Sequence, residues 1–356
     1  MNRISAFLKK KDIEISWRRY FIDAMSGMAQ GLFCSLLIGT ILNTVGKLGE
    51  WEIFIEFGDY AKVMAGPAMA VAIGYALKAP NLVLFSLLAV GQAANALGGA
   101  GGPLAVLLIA IVAAEFGKLV SKETKIDILV TPLVTILVGC GLAKLIAPYI
   151  GSGAEAFGDL IMWATELQPL LMGILVSVLV GIALTLPISS AAICASLGLT
   201  GLAGGAAVAG CCAQMVGFAV MSFKENRWGG LVSQGIGTSM LQMGNIVRNP
   251  RIWIPPIVAS AVTGPLATCV FGLQMNGEPV SSGMGTCGFV GQIGVLTGWV
   301  NPAEKAIANG AAAIKAGWVD YLGLILICFV LPAILCWAGG LLLRKLGWIK
   351  ENDLKL

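Results

Sequence analysis

The chain has 356 residues, 57% of them hydrophobic and 12% charged, with a mean hydropathy of +0.87. Those values lie outside the range of soluble domains and read as an integral membrane protein. The formal charge of +4 is spread over terminal and connecting segments, which gives nucleic acid no long basic face, and the absence of histidine excludes any mechanism that needs an imidazole.

Residues 1–19 form a basic head with Lys9, Lys10, Lys11, Arg18 and Arg19. It is not a cleavable signal peptide, because the apolar stretch begins only at Tyr20 and runs too long. Hydropathy and the positive-inside rule then give a consistent path. A first span covers Tyr20 to Val45, and Glu50, Glu52, Glu56 and Asp59 follow as an acidic segment suited to the outer face. Span two runs from Val63 to Leu77 and span three from Leu82 to Leu97, ending in the glycine turn Gly98 to Pro103. Span four, Leu104 to Val120, carries Glu115 three residues before Lys118, a spacing that predicts an ion pair. Lys118, Lys122 and Lys125 place the next connection inside.

Span five follows from Ile128 to Ala147, with Glu155, Asp159 and Glu166 in a short outer segment. From Leu167 to Phe223 there is no charged residue over 57 positions, although a span needs only about 20. This stretch reads as span six, Leu167 to Leu186, then two spans or half-spans, Pro187 to Leu202 and Gly205 to Phe223. Lys224 and Arg227 mark the inner face. Gly229 to Val247 is too polar to face lipid and reads as re-entrant or cavity-lining. Ile252 to Leu273 spans outward, Gln274 to Val300 is a second broken, glycine-rich region, and Tyr321 to Leu343 is the last span before Arg344 and Lys345.

A transported polar solute exchanges its hydration shell for fixed donors and acceptors near the midplane, at the ends of interrupted helices. Proline and glycine interrupt, while serine, threonine, asparagine and glutamine supply the hydrogen bonds. Three segments, Pro187 to Ser190, Gln234 to Asn245 and Glu278 to Gln292, combine both properties, and they supply Ser189, Ser190, Gln234, Thr238, Ser239, Gln242, Asn245, Glu278, Ser281, Ser282, Thr286 and Gln292 as substrate-binding candidates. Gln214 joins them as the amide inside the uncharged stretch. Glu278 is the only charged residue between Arg251 and Glu304, so it either faces water, a cation or a solute, or sits at an outer loop tip. The alternative for the others is that they bridge packed helices.

No catalytic, metal or cofactor site is expected. The nine cysteines show no ligand spacing, and the Cys211–Cys212 pair reads as packing. Gly283-Met284-Gly285 lacks the βαβ context of a nucleotide fingerprint. A membrane enzyme is disfavoured because no nucleophile with its base is visible.

The stretch Gly235-Ile236-Gly237-Thr238-Ser239-Met240-Leu241-Gln242, then Asn245, then Asn249-Pro250-Arg251-Ile252-Trp253-Ile254-Pro255-Pro256, resembles the stand-alone EIIC-like membrane proteins of the bacterial phosphotransferase system. That family includes toxin regulators named for perfringolysin O. Lys125 to Leu133, Gly264-Pro265, Gly283 to Thr286 and Gly291-Gln292 are similar too, so the resemblance covers almost the whole chain. It implies a sugar-conducting membrane domain, typically a homodimer, with IIA and IIB proteins acting in trans. Pro187 to Ala192 is similar in placement to the small-residue substrate loop of fructose-type members. The histidine that glucose-type members hold near the sugar has no counterpart here.

The expectation is an all-α integral membrane protein of about ten transmembrane helices with re-entrant or broken hairpins and EIIC-like transporter architecture. A cytoplasmic segment 1–19, one membrane domain 20–346 and a cytoplasmic tail 347–356 would place both termini inside, in the bacterial cytoplasmic membrane. The expected activity is alternating-access transport of a small polar solute, in the carbohydrate class that the resemblance implies. The alternative is a membrane-embedded ligand sensor that regulates gene expression without net transport.

Overall fold

The structure is a computed structural model that describes residues 3–356, so Met1 and Asn2 of the basic head lie outside it. It is all-α, and among the described residues six helices are long and apolar enough to cross a membrane. Packing divides the chain into two compact units, one ending at Gly153 and the other covering Ala154–Leu356.

The first unit opens with α1 (Arg3–Lys10) and the long α2 (Arg19–Lys47), whose π-turns lie at Arg19–Asp23 and Phe33–Leu37. The acidic segment is itself a helix, α3 (Glu52–Val63), and it turns back along α2, with Asn43 Nδ2 donating to Asp59 Oδ1 at 2.8 Å. Next comes α4 (Ala65–Ala76), which crosses α2 where a side chain at Gly27 or Gly31 would strike the Ala72 or Ala68 carbonyl. The pair α5 (Asn81–Gly98) and α6 (Gly102–Val120) is joined by a 3₁₀ turn at Gly99–Gly101, where Gly99 has φ +50° and so favours glycine.

One end of this unit is an ionic knot. Lys118 is 1% exposed, yet its Nζ lies 3.0 Å from Glu115 Oε2, confirming the expected pair, and also donates to Asp12 O at 2.6 Å and Leu77 O at 3.1 Å. Arg19 joins Asp12 Oδ2 at 2.8 Å and Leu77 O at 2.6 Å. Lys11 pairs with Glu123 at 2.5 Å. Basic segments that the sequence assigned to one face thus do come together.

Helix α7 (Asp127–Thr165) departs from the expected span of Ile128 to Ala147. It runs unbroken for 39 residues through Pro132, Pro148 and the acidic Glu155 and Asp159. At ~1.5 Å per residue it is about twice the ~30 Å hydrocarbon thickness, and Glu155 and Asp159 are exposed, so helix continuity costs those charges no burial.

In the second unit α8 (Pro169–Thr185), α10 (Gly201–Met221), α13 (Pro250–Val270) and α16 (Trp318–Lys345) surround one another, with α10 almost wholly buried. Glycines set the approach: a Cβ at Gly210 would collide with the Ser177 carbonyl, and one at Gly264 with Gly173. Between α8 and α10 the expected span over Pro187 to Leu202 contains only α9 (Ser190–Leu197), eight residues or ~12 Å, a half-span. Ser189 caps it by accepting from Ala192 N at 3.2 Å, and Gly198 at φ +62° ends it.

Both broken regions are broken in the structure. Phe223–Val232 is α11, followed by a π-turn at Ser233–Gly237, extended Thr238, a 3₁₀ turn at Ser239–Gln242 and the short α12 (Met243–Arg248). Residues 271–286 are largely irregular, with an antiparallel bridge from Met275 to Gly201, before the apolar helix α14 (Cys287–Val300) and the short α15 (Glu304–Ala308). The helix Cys287–Val300 lies inside the stretch Gln274 to Val300 that reads as broken from sequence.

Candidate functional site

The first and third interrupted segments fasten to each other, and the second and third reach α10. Ser190 Oγ donates to Gly283 O at 2.7 Å, and Ser282 Oγ donates to Leu199 O at 2.7 Å, so the hairpin around α9 and the turn Pro279–Gly283 are fastened to each other. The fit is close, since a Cβ at Gly283 would meet the Ser190 backbone.

On the adjoining face of α10, Gln214 is fully buried and serves as a junction. Its Oε1 accepts from Trp253 Nε1 at 2.8 Å and from Thr185 Oγ1 at 3.3 Å, while Nε2 donates to Ser260 Oγ at 3.4 Å. Thr185 and Ser239 share a hydroxyl hydrogen bond of 2.8 Å, which ties the broken segment to the end of α8. Thr238 caps its own turn, accepting from Met240 N at 3.1 Å.

The other side of that broken segment carries a chain of amides. Gln234 Nε2 donates to Ser222 Oγ at 2.8 Å, Gln242 Nε2 to Gln234 Oε1 at 2.9 Å, and Asn245 Nδ2 to Gln242 Oε1 at 2.8 Å. All four residues are buried. Each amide orients the next, and such a chain is stiff when satisfied.

At the start of α14, Gln292 Nε2 donates to Cys212 Sγ at 3.1 Å, and Thr286 Oγ1 to Met215 Sδ at 3.5 Å. Gln292 Oε1 and Asn276 Oδ1 are buried acceptors without a donor. A buried carbonyl left unpaired costs ~1–3 kcal/mol, which a hydroxyl donor would relieve.

Of the thirteen residues chosen from sequence, Ser190, Gln214, Gln234, Thr238, Ser239, Gln242, Asn245, Ser281, Ser282, Thr286 and Gln292 are buried. Ser189 is half-buried as a helix cap. Glu278 stands apart: it is exposed at the head of the Pro279–Gly283 turn, with its carbonyl accepting from Ser281 N at 2.8 Å. Sequence reasoning passed over Thr185, Ser222, Trp253 and Ser260. Lone hydroxyls in apolar helices usually bond their own i−4 carbonyl, so nothing local marks Thr185 or Ser260 as partners of Gln214.

The cluster contains no charged side chain. Charges appear at the rim, where Arg344 pairs with Glu225 at 2.8 Å and Lys224 with Glu351 at 3.3 Å. A neutral set of amide and hydroxyl groups matches an uncharged, hydroxyl-rich molecule better than an ion.

A family model described as "Phosphotransferase system, EIIC" matches residues 22–356. Neither the curated proteins nor the solved structures contain a match to the chain.

Proposed function

Because the chain belongs to the phosphotransferase-system EIIC family, the membrane permease components of sugar transport, we propose that it carries a carbohydrate across the membrane by alternating access. The observation that carries this reading is that the broken segments bond to one another and to the ends of α8 and α10, with their amides and hydroxyls buried. The solute's hydroxyls are both donors and acceptors, so they can meet the amide chain and the unpaired oxygen of Gln292 alike. Gln234, Gln242, Asn245 and Gln292 form the proposed core of the site, and Ser190, Ser282, Thr238 and Ser239 hold its walls in register.

The positive-inside rule orients both termini toward the cytoplasm. IIA and IIB proteins acting in trans, and a second copy of the chain, are the partners that family membership supports. The test is equilibrium binding of a panel of hexoses, pentoses and polyols to purified protein. One class binds the wild type and loses at least tenfold affinity in Gln242→Ala, whereas equal affinities would remove the site assignment.

A second reading, a membrane-embedded ligand sensor, draws on one observation. Segment 347–356 is bonded to the same amides, so occupancy of the site is coupled to a segment that a cytoplasmic partner can read.

A further inference from the structure

Beyond α16 the chain turns at Gly347, where φ is +70°, and folds back over the amide chain. Its carbonyls occupy the donors of the proposed site. Gln242 Nε2 donates to Leu354 O at 2.9 Å, Asn245 Nδ2 to Lys355 O at 2.9 Å, and Asn226 Nδ2 to Leu354 O at 2.7 Å. Leu356 N returns a bond to Asn226 Oδ1 at 2.9 Å. Leu354 is fully buried.

We propose that residues 348–356 form an intramolecular plug that closes the proposed site from the Arg344 end, with the Leu354 and Lys355 carbonyls taking the hydrogen bonds that solute hydroxyls would otherwise accept. The inference rests on the Gln234–Gln242–Asn245 assignment above and names how that site is regulated.

Three features fit a part that leaves rather than a fixed part of the core. The segment is turns and bends without a helix of its own. Most of its grip comes from main-chain carbonyls on amide side chains, a bond type that water or a sugar hydroxyl replaces one for one. Only Leu354 and Ile349 are buried apolar anchors, and around them Lys350, Glu351, Asn352, Lys355 and Leu356 are exposed. Gly347, just before the plug, and Asn352, at its middle with φ +67°, mark where the chain turns. Asn249 holds its base, donating to Trp348 O and Asp353 Oδ2, each at 2.8 Å.

The plug also explains why an asparagine occupies position 226 in an otherwise charged run. Its side chain bonds the segment twice, as donor and as acceptor, which neither a lysine nor a glutamate does.

The test needs no knowledge of the solute. In the full chain carrying Leu354→Cys, labelling by a small maleimide is followed peptide by peptide against native Cys211, which is equally buried. The plug predicts that position 354 reacts at least tenfold faster than Cys211 under native conditions, because it is exposed whenever the segment lifts. Equal rates would make the segment permanent and overturn the proposal. A chain ending after Gly347 gives a second reading: its helices keep their unfolding temperature, whereas their collapse would make the segment part of the fold and overturn it equally. Addition of the sugar panel separates the two proposals. Fast labelling that no sugar alters leaves the plug standing and removes the carbohydrate assignment.

Discussion

Ser190 Oγ and Gly283 O, 93 residues apart, are joined by a 2.7 Å hydrogen bond. That bond fastens two segments that sequence identifies only as similar interruptions. The absence of a side chain at position 283 lets the backbones meet. Gly283→Val drives a β-branched side chain into the Ser190 backbone, and overpacking of this kind costs ~1–3 kcal/mol. The expected outcome is weakened solute binding with unchanged helix content by circular dichroism. Ser190→Ala, which removes only the bond, is milder at ~1 kcal/mol.

Gln214 is the second point of failure. Gln214→Leu keeps the volume but leaves Trp253 Nε1 without its acceptor, at ~1–3 kcal/mol for an unpaired donor, while Thr185 loses one partner and keeps Ser239. Thermal unfolding in detergent should fall accordingly. Trp253→Phe, which removes the donor as well, should restore part of the loss in the double variant; full additivity would show that the two side chains are not coupled.

Much of this was legible from residue types. The ends of the apolar helices, the glycine turn after α5 and the Glu115–Lys118 pair follow from hydropathy and i,i+3 spacing, because lipid demands apolar runs and buried charges demand partners. The continuation of α7 was not legible. An acidic stretch reads as loop in a hydropathy scan, but nothing in Glu155 or Asp159 stops a helix once it has left the bilayer. The contact of segment 347–356 with Gln242 and Asn245 was hidden for another reason. It uses backbone carbonyls, which every residue has, so no side-chain pattern announces it.

Lys118 is predicted to be sensitive to single replacement. Lys118→Met leaves the Glu115 carboxylate without its cation, a loss of ~3–5 kcal/mol for a broken buried pair. Replacing both members, Glu115→Leu with Lys118→Met, should recover most of that loss in a chemical-denaturation series. A double variant as unstable as the single one would show that the Asp12 and Leu77 contacts, not the ion pair, hold the knot.

The same knot should respond to acid. The Arg19 guanidinium hydrogen-bonded to Asp12 lowers the Asp12 carboxyl below its usual range, and Lys11 does the same for Glu123. A depressed folded-state value means that the contribution is complete above the unfolded-state value and is lost as pH falls through the folded one, below about pH 4. The hydrogen-exchange protection factors of residues 7–18, taken relative to the intrinsic exchange rate at each pH, should therefore fall on acidification through that window and stay constant from pH 6 to 8. In Asp12→Asn the Asp12 share of the response disappears.

The central claim is that this EIIC-family chain conducts a hydroxylated solute through the amide-lined site, and counterflow in proteoliposomes tests it most directly. Vesicles loaded with one unlabelled sugar at a time are diluted into the labelled form, without any phosphorylating partner. The account predicts saturable, transient accumulation of one class of carbohydrate by the wild type and its loss in Gln242→Ala. Absence of exchange for every sugar, with tight binding of one of them intact, would contradict transport and leave the sensor.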